Sequence, residues 1–400
     1  MIPIAKPLLG EAEANAAYDA VLSGWVSQGP KVAEFEAAFS RLTGAPHACA
    51  VSNCTTALHL ALLAVDVGPG DEVITVSHSF IAGANAIRQC GATPVFVDIE
   101  AGGYNMDPAL IAAAVTPRSR AILCVHQIGM PCDMPAIMRI ARAHGLAVVE
   151  DAACAAGSQI SMDGAWRQIG YPIGDVACFS FHPRKVLTTG EGGMLTTARA
   201  DLDAKFRLWR QHGMSVSDRQ RHASASVIFE DYPVRGYNYR MTDIQAAIGI
   251  EQLARLPQII AQRRRLADRY HQALEAMSGV TRPAEPDWAS SNWQSYAVAL
   301  APGLDQRQLM QSMLDRGVAT RRGIMNMHQE EAQMDLPRRF ALPRSEQARD
   351  QTILLPLYAQ MTDDEQDEVL AALDDGLAAQ FHGSRPRADV LSREPVQSHS

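Results

Sequence analysis

The chain has 400 residues, of which 47% are hydrophobic and 20% are charged, and its formal net charge is -8. This length predicts two domains with a substantial core, and this composition indicates neither a disordered chain nor a membrane protein. The acidic balance argues against a general nucleic-acid binder, because binding to a phosphate backbone requires a concentrated basic face.

The N-terminal segment MIPIAKPLLGEAEAN lacks the basic start and the long apolar stretch of a secretory signal. No run approaches the roughly 20 apolar residues that a membrane-spanning helix requires. The seven cysteines form an odd set without a CxxC pair, and several lie within apolar runs, so we expect them to be reduced and mostly buried. These features predict a cytoplasmic protein with no membrane partner.

Short apolar segments alternate with helical patterns between residues 48 and 197. In chain order they are ACAVSN, DEVITVSH, TPVFVDI, AILCVHQI, LAVVEDAA, DVACFSF and GGMLTT. This alternation is typical of βαβ units, so it predicts an α/β fold with a mostly parallel sheet covered by helices on both faces.

The later part of the chain predicts a second, smaller domain. Residues 199–212 and 242–277 have the pattern of long helices, and the pieces YAVAL and TILLPLY indicate strands of an α+β unit. We place the large domain at residues 1–250 and the small domain at residues 251–381. The polar residues 382–400 have no apolar period and predict a mobile tail.

Lys185 is one of only four lysines, and it follows an apolar strand in the segment FSFHPRKVLTTGEGGMLTT. Ligands of α/β proteins bind beyond the carboxyl ends of the strands, so this lysine is well placed for chemistry. Burial there would lower the pKa of Lys185 and make the amine a nucleophile toward a carbonyl carbon. A surface lysine on a loop remains the alternative, because glycines mark any tight turn.

Asp151 ends the apolar strand in LAVVEDAACAAG. A buried carboxylate at this position needs a cationic partner, because an unpaired charge is costly to bury. The protonated ring nitrogen of pyridoxal phosphate would be such a partner and would keep the ring an electron sink. The alternative is that Asp151 is the N-cap of a following helix.

In SNCTTALHLALL a strand ends at Ser52 and Asn53, and a helix is predicted to start at Thr55. Backbone N–H groups and hydroxyls at a helix start form a binding site for an anion. An ordinary N-cap would explain Thr55 equally well.

Seven motifs occur in one order along the chain. They are GWVSQGPKVAEFE, SNCTTALHLALL, GPGDEVITVSHSFIAGANAI, GATPVFVDI, HGLAVVEDAACAAG, FSFHPRKVLTTGEGG and RGYNYRMTDIQAAIGIEQL. With this set the chain resembles the DegT/DnrJ/StrS-like sugar aminotransferases, a branch of the fold-type I pyridoxal-phosphate enzymes, from about residue 3 to residue 380. The resemblance implies a large domain with a seven-stranded sheet, a smaller C-terminal α+β domain and a homodimer.

The resemblance also implies roles for single residues. Lys185 matches the lysine that holds pyridoxal 5'-phosphate as a Schiff base, and Asp151 matches the carboxylate that faces the pyridine nitrogen. The remaining cofactor contacts that it implies are Thr55, Thr56 and Ser180 at the phosphate, Phe80 against the ring, and Asn238 at the phosphate of the neighbouring subunit. From local pattern alone, Phe80 could equally be a core residue.

The chain departs from the family pattern at Cys54, where a glycine is usual, and at Cys154, where glutamine or another polar residue is usual. Arg240 is a candidate for the carboxylate of the amino donor, because such a group requires an arginine or a cluster of N–H donors. His328 is a candidate for contact with the sugar, and a surface histidine is the favoured interpretation. No metal site is predicted.

The implied reaction is a ping-pong transamination from glutamate or glutamine to a keto-sugar that is carried on a nucleotide. The related dehydratases have histidine in place of the lysine, so Lys185 argues against that activity even though His182 lies three residues earlier. An aminotransferase acting on a cyclitol in antibiotic synthesis and a non-enzymatic regulatory protein remain alternatives. A Rossmann dehydrogenase is disfavoured because no GxGxxG motif follows a strand.

Overall fold

The structure is a computed structural model that describes residues 1–216, 221 and 224–383. Its strands are β1 (His47–Val51), β2 (Glu72–Val76), β3 (Thr93–Val97), β4 (Ser119–Val125), β5 (Ala147–Asp151), β6 (Gln159–Met162), β7 (Ala165–Gln168), β8 (Val176–Ser180), β9 (Gly193–Thr197), β10 (Val280–Thr281), β11 (Ala289–Ser290), β12 (Tyr296–Leu300), β13 (Arg321–Arg322) and β14 (Thr352–Leu355). Its α-helices are α1 (Glu11–Leu22), α2 (Pro30–Thr43), α3 (Cys54–Ala64), α4 (Ala82–Gln89), α5 (Ile111–Ala114), α6 (Met134–His144), α7 (Ala200–Trp209), α8 (Asp243–Leu274), α9 (Gln306–Asp315), α10 (Pro343–Gln351) and α11 (Asp363–Gly383).

Seven strands form the central sheet in the order β1-β9-β8-β5-β4-β2-β3. The pairs from β3 to β8 are parallel, whereas β9 is antiparallel to both of its neighbours. Every residue of β2 and β9 is buried, as expected for strands that are covered by helices on both faces. The predicted α/β fold with a mostly parallel seven-stranded sheet is confirmed, and the carboxyl ends of β4, β5 and β8 lie along one edge.

A second hydrophobic core lies in the C-terminal part of the chain. It is built around the four-stranded antiparallel sheet β10-β12-β14-β13 and includes Ile2 from the N-terminus. Helix α8 joins the two cores, because Leu256 and Ile259 pack under the central sheet while Leu266 and Tyr270 pack in the C-terminal core. The predicted domain boundary near residue 250 lies inside this helix. It is N-terminal to the stretch between Ile259 and Leu266, in which the contacts of the helix change from the first core to the second.

Helix α11 continues through Gly383, so residues 382 and 383 of the predicted tail are helical. The rest of that prediction, residues 384–400, lies outside the described residues. Among the residues that the structure describes, no helix combines the length and the apolar character that a membrane span requires.

The buried carboxylate of Asp243 connects the start of α8 to the start of α2. It accepts hydrogen bonds from the backbone N–H groups of Gly29 at 2.7 Å, Lys31 at 3.0 Å and Val32 at 3.0 Å. These donors belong to the first turn of α2 and its N-cap, where no intrahelical acceptor exists. A Cβ atom on Gly29 would lie 2.7 Å from this carboxylate and 2.6 Å from the Trp25 ring, which explains the glycine.

We expect Asp243→Ala to lower the free energy of unfolding by about 2 to 4 kcal/mol, because a buried donor left without an acceptor costs about 1 to 3 kcal/mol. Asp243→Asn retains one carbonyl oxygen and should recover part of the loss. Urea unfolding followed by circular dichroism measures both effects. Asp367→Ala, which removes an exposed ion pair with Arg269, is the matched control and should leave the midpoint unchanged. Equal midpoints for Asp243→Ala and the parent would contradict this account of α2.

Candidate active site

Asp151 is the last residue of β5, and its side chain is buried. Its Oδ1 accepts a hydrogen bond from the backbone N–H of Ala153 at 3.0 Å. Turns rather than a helix follow at residues 152–158, so the alternative of a helix N-cap is wrong. Burial raises the pKa of Asp151, against the opposing effects of the Ala153 N–H, Lys185 and His126. Additional positive charge near this carboxylate would therefore favour its ionised form.

The neighbouring acid, Glu150, has a different environment. Its carboxylate bonds His126 Nε2 at 2.9 Å and accepts from the Gly174 N–H at 2.9 Å. The other ring nitrogen of His126 accepts from the Cys132 N–H, so Nε2 carries the proton toward Glu150. Both oxygens of Glu150 are therefore satisfied within the fold, and Asp151 is the acid that remains for a ligand.

Lys185 lies in the loop after β8, and its side chain points to the same region as Asp151. Its Nζ lies 3.1 Å from the sulfur of Cys154, to which it donates a hydrogen bond. Burial acts to lower the pKa of Lys185, but Cys154 and Asp151 beside the amine outweigh it and the pKa is raised. The expected lowering of the pKa of Lys185 is therefore wrong, because the Cys154 sulfur accepts a hydrogen bond from the amine and the Asp151 carboxylate lies nearby.

Asn292 holds the loop that carries Cys154. Its Nδ2 donates to the carbonyl oxygens of Cys154 at 2.8 Å and Ala156 at 2.9 Å. Asn292 is fully buried and lies just before β12, about 140 residues away along the chain. Asn292 is not among the residues predicted from the sequence, because nothing in the local pattern around it indicates its partners.

Gln294 holds the loop that carries Lys185 in a similar way. Its Oε1 accepts from the Val186 N–H at 3.1 Å, and its Nε2 donates to the carbonyl oxygen of Arg184. The buried guanidinium of Arg263 on α8 supports this segment by donating to the carbonyl oxygens of Trp293 at 2.9 Å and Gln294 at 2.7 Å. Burial lowers the pKa of Arg263 to about 10. Gln294 was likewise missed from the sequence.

Helix α3 begins at Cys54, and Asn53 is its N-cap, with Oδ1 accepting from the Thr56 N–H at 2.9 Å. The interpretation of Thr55 as the N-cap is therefore wrong. The Thr56 hydroxyl donates to the carbonyl oxygen of Asn53 at 2.7 Å, whereas the Thr55 hydroxyl makes no hydrogen bond to another described residue. The hydroxyl of Thr55 and the N–H groups of Cys54 and Thr55 thus remain available to an anion.

Two further predicted residues lie at strand ends of the same edge. Ser180 ends β8, and its hydroxyl accepts from the His182 N–H at 3.5 Å. Phe80 follows β2 and is 58% exposed, so the alternative of a core phenylalanine is wrong. An exposed aromatic ring at a ligand-binding edge is available to stack on a flat ligand.

Asn238 and Arg240 lie in the segment before α8. The carbonyl oxygen of Tyr239, between them, accepts from the Ser52 N–H at 2.8 Å, which places the segment next to the start of α3. Arg240 Nη2 donates to Asn238 Oδ1 at 3.5 Å, and Arg240 lines a cleft of about 670 Å³ with Arg207 and other residues. That cleft does not include Lys185, so the role of Arg240 at the donor stays a prediction.

His328 is buried, and the interpretation as a surface histidine is wrong. Its Nδ1 lies 2.6 Å from the Ser77 hydroxyl and its Nε2 lies 3.2 Å from Glu346. Burial lowers the pKa of His328, against the effect of Glu346. Because both ring nitrogens already have partners, the geometry favours a structural role over contact with a sugar.

The chain matches the sequence model of the DegT/DnrJ/EryC1/StrS aminotransferase family over residues 7–374. It is 40% identical to GDP-perosamine synthase of Caulobacter vibrioides, over 93% of this chain and 97% of that protein. It is 38% identical to the spore coat polysaccharide biosynthesis protein SpsC of Bacillus subtilis, over 94% of this chain and 96% of that protein.

A similar fold is found in Spr1654 of Streptococcus pneumoniae. Its solved PMP-form matches with a TM-score of 0.87 at 28% identity, and the match covers 95% of this chain and 100% of that chain. Its PLP-form matches with a TM-score of 0.86. The sheet edge at which Asp151 and Lys185 lie therefore belongs to a fold that is also found in the PMP-form and in the PLP-form of Spr1654.

Cys154 is half-buried, whereas the other six cysteines are buried. We therefore expect one thiol per native chain to react with Ellman's reagent, and all seven to react after unfolding in guanidinium chloride. Cys154→Ser should abolish the fast reaction, and Cys49→Ser, at a fully buried position, is the control that should retain it. Two or more fast thiols in the native protein would contradict the burial of the other six cysteines.

Proposed function

Because this chain belongs to the DegT/DnrJ/EryC1/StrS aminotransferase family, we propose that it transfers an amino group from glutamate or glutamine to a nucleotide-linked keto-sugar, with pyridoxal phosphate bound covalently at Lys185. The family assignment shows that the protein is an enzyme and that its class of reaction is sugar transamination. The nucleotide, the donor and the cofactor of this particular chain are the parts that we propose.

The environment of Asp151 is the observation that carries the proposal. Its carboxylate is buried, has one backbone donor and lies close enough to Lys185 for each group to shift the pKa of the other. A protonated pyridine nitrogen is a cation that fits this carboxylate, and an aldehyde is a group that fits the neighbouring amine. Bound pyridoxal phosphate supplies an electron sink for the carbon that loses a proton.

Lys185 has two tasks in this scheme. Its amine would hold the cofactor covalently in the resting enzyme, and once freed by the amino donor it would accept the proton from the α-carbon of the donor and return it within the same adduct. The Cys154 sulfur, which accepts from Nζ in the structure, gives the displaced amine a weak hydrogen-bond acceptor.

The start of α3 fits the phosphate of the cofactor. The free Thr55 hydroxyl, the N–H groups of the first turn and the positive end of the helix dipole all favour a dianion. Both the hydroxyl and the N–H of Thr56 are bonded to Asn53 in the capping box, so its predicted contact with the phosphate requires one of these bonds to be exchanged. Ser180 is the third predicted contact. We expect the Phe80 ring to stack on the pyridine ring, which contributes about 0.5 to 1.5 kcal/mol beyond burial.

The name of the relative from Caulobacter vibrioides supports a nucleotide-linked acceptor, because its product is a GDP-sugar. We also propose a homodimer in which Asn238 contacts the cofactor phosphate of the neighbouring subunit. Exposed apolar side chains on α1, among them Tyr18 at 63% and Leu22 at 68%, are consistent with a covered surface in the assembly. The cytoplasmic location stays a prediction.

We expect Lys185→Ala to lose covalent attachment of the cofactor and to transfer amino groups at least about 10²- to 10⁴-fold more slowly, the usual contribution of a positioned general base. Borohydride reduction of the loaded parent, followed by peptide mass analysis, should label the peptide that contains Lys185. Lys205→Ala, which removes an amine that bonds Ala64 and Asp66 near the surface, is the matched control. Label at Lys6, Lys31 or Lys205, or undiminished transfer by the Lys185 variant, would contradict the assignment.

We expect Asp151→Asn to retain covalent attachment of the cofactor but to lose most of its turnover. The amide keeps the size and one hydrogen-bond acceptor, while the negative charge that favours a protonated pyridine nitrogen is gone. Absorbance of the loaded protein and single-turnover rates with glutamate separate the two effects. Near-normal turnover would show that another group stabilises the ring nitrogen.

A further inference from the structure

Cys154 and Lys185 form a close pair of reactive side chains at the candidate active site. The amine of Lys185 lies 3.1 Å from the sulfur of Cys154, and the contact joins two loops that are separated by 31 positions along the chain. Cys154 is half-buried, whereas the other six cysteines are buried, so a small oxidant can reach its sulfur. The pair therefore brings together an accessible sulfur and a nucleophilic amine.

Polar side chains from a distant segment hold both partners in place. Asn292 donates to the carbonyl oxygen of Cys154 at 2.8 Å, and Gln294, two residues further on, bonds the backbone on both sides of Lys185. The two loops are thus attached to one short segment, which keeps the sulfur and the amine side by side. The flexible four-carbon chain of Lys185 can close the gap that remains.

The sulfurs of three buried cysteines have contacts of a different kind. Cys54, Cys90 and Cys132 donate to backbone carbonyl oxygens. An oxidised sulfur condenses with a thiol or with a nitrogen, and a carbonyl oxygen is neither. Solvent access together with an amine as the contact therefore distinguishes Cys154 from these three residues.

We propose that hydrogen peroxide joins Cys154 to Lys185 through a sulfur–nitrogen bond, and that this bond forms only while the amine is free of the cofactor. In the first step the sulfur attacks one oxygen of the peroxide and the O–O bond breaks. The sulfur is oxidised to a sulfenic acid, and the second oxygen is reduced to water. In the second step the neutral amine attacks the sulfur, the S–O bond breaks, and the hydroxyl leaves as water with one amine proton. The product is a sulfenamide, which a thiol reductant reverses.

Oxidation of the sulfur also favours the neutral form of the amine. Burial acts to lower the pKa of Lys185, and Cys154 is the largest of the opposing causes, ahead of Asp151. Conversion of the sulfur to an uncharged sulfenic acid removes that opposing charge, so the pKa of Lys185 falls. The first step thus prepares the nucleophile that the second step requires.

The cofactor determines whether the amine of Lys185 is available, and this part rests on the proposed function. Lys185 is covalently occupied in the enzyme with pyridoxal phosphate. It is free in the enzyme that carries the aminated cofactor and has no keto-sugar. Under oxidising conditions the bond to Cys154 would therefore arrest the enzyme that has taken up an amino group, until a thiol reductant restores the amine.

The test treats three forms of the full chain with hydrogen peroxide: without cofactor, with pyridoxal phosphate and with pyridoxamine phosphate. Trypsin digestion without reductant, followed by mass spectrometry, identifies residues 143–167, which contain Cys154, joined to residues 185–199. The joined pair is lighter than the sum of the two peptides by two hydrogen atoms, and dithiothreitol should separate it. We expect the joined pair in the first and third forms and its loss in the form with pyridoxal phosphate.

Three variants identify the two reacting groups. Cys154→Ser should give no joined pair. Lys185→Ala should leave Cys154 as a sulfenic or sulfinic acid that is linked to no other residue. Lys205→Ala is the matched control and should retain the joined pair, because its amine bonds the carbonyl oxygen of Ala64 and the carboxylate of Asp66.

The form without cofactor separates this proposal from the proposed function. No joined pair in that form, or a disulfide between Cys154 and Cys54 in its place, would overturn the proposal. A joined pair that persists in Lys185→Ala would overturn it as well. Equal amounts of the joined pair with and without pyridoxal phosphate would support the sulfur–nitrogen bond but contradict covalent attachment of the cofactor at Lys185, because an occupied amine cannot attack.

Discussion

A carboxylate that leaves water must find hydrogen-bond donors or positive charge, and the two acids at the end of β5 meet this requirement differently. Glu150 is satisfied inside the fold by His126 and the Gly174 N–H, so it is a structural residue. Asp151 has one backbone donor, and its remaining compensation comes from Lys185 and His126 at longer range. The parallel sheet creates this situation, because it is buried on both faces and ends its strands at one common edge. Asp151 is therefore the acid of this pair whose charge a bound cation can compensate.

The position of Lys185 depends on residues that are far away along the chain. The side chain of Gln294 bonds the backbone on both sides of Lys185, and Asn292 bonds the loop of Cys154. Arg263 in turn donates to the carbonyl oxygens of Trp293 and Gln294. Each of these polar groups is buried, and each would be costly to bury without its partner. The C-terminal part of the chain therefore holds the two loops that carry Lys185 and Cys154 in place.

Helix α8 connects these requirements. Asp243 at its beginning satisfies the first turn of α2, and Arg263 near its middle supports the segment before β12. Its apolar residues pack in the first core up to Ile260 and in the second core from Leu266, so one continuous helix fixes the relative placement of both cores. This continuity explains why the sequence pattern placed the boundary only approximately, since a helical period does not record which surface a residue packs against.

The sequence alone determined the class of fold, because continuous apolar segments between helical patterns can be buried only in a sheet that is covered on both faces. It also marked Lys185 and Asp151 as candidates, since a scarce lysine and an acid that follow apolar strands are visible in the sequence, and the resemblance implied their roles. Local pattern did not decide the environments of Phe80, Thr55 and His328, which the structure shows to be exposed, free of the N-cap role and buried, respectively. Only the tertiary structure placed the sulfur of Cys154 at 3.1 Å from Nζ of Lys185. It also brought Asn292 into contact with the loop of Cys154, and Gln294 into contact with the loop of Lys185. These contacts join residues more than 30 and more than 100 positions apart, and a polar side chain has no periodicity that reveals its distant partner, so they arise from how the elements pack.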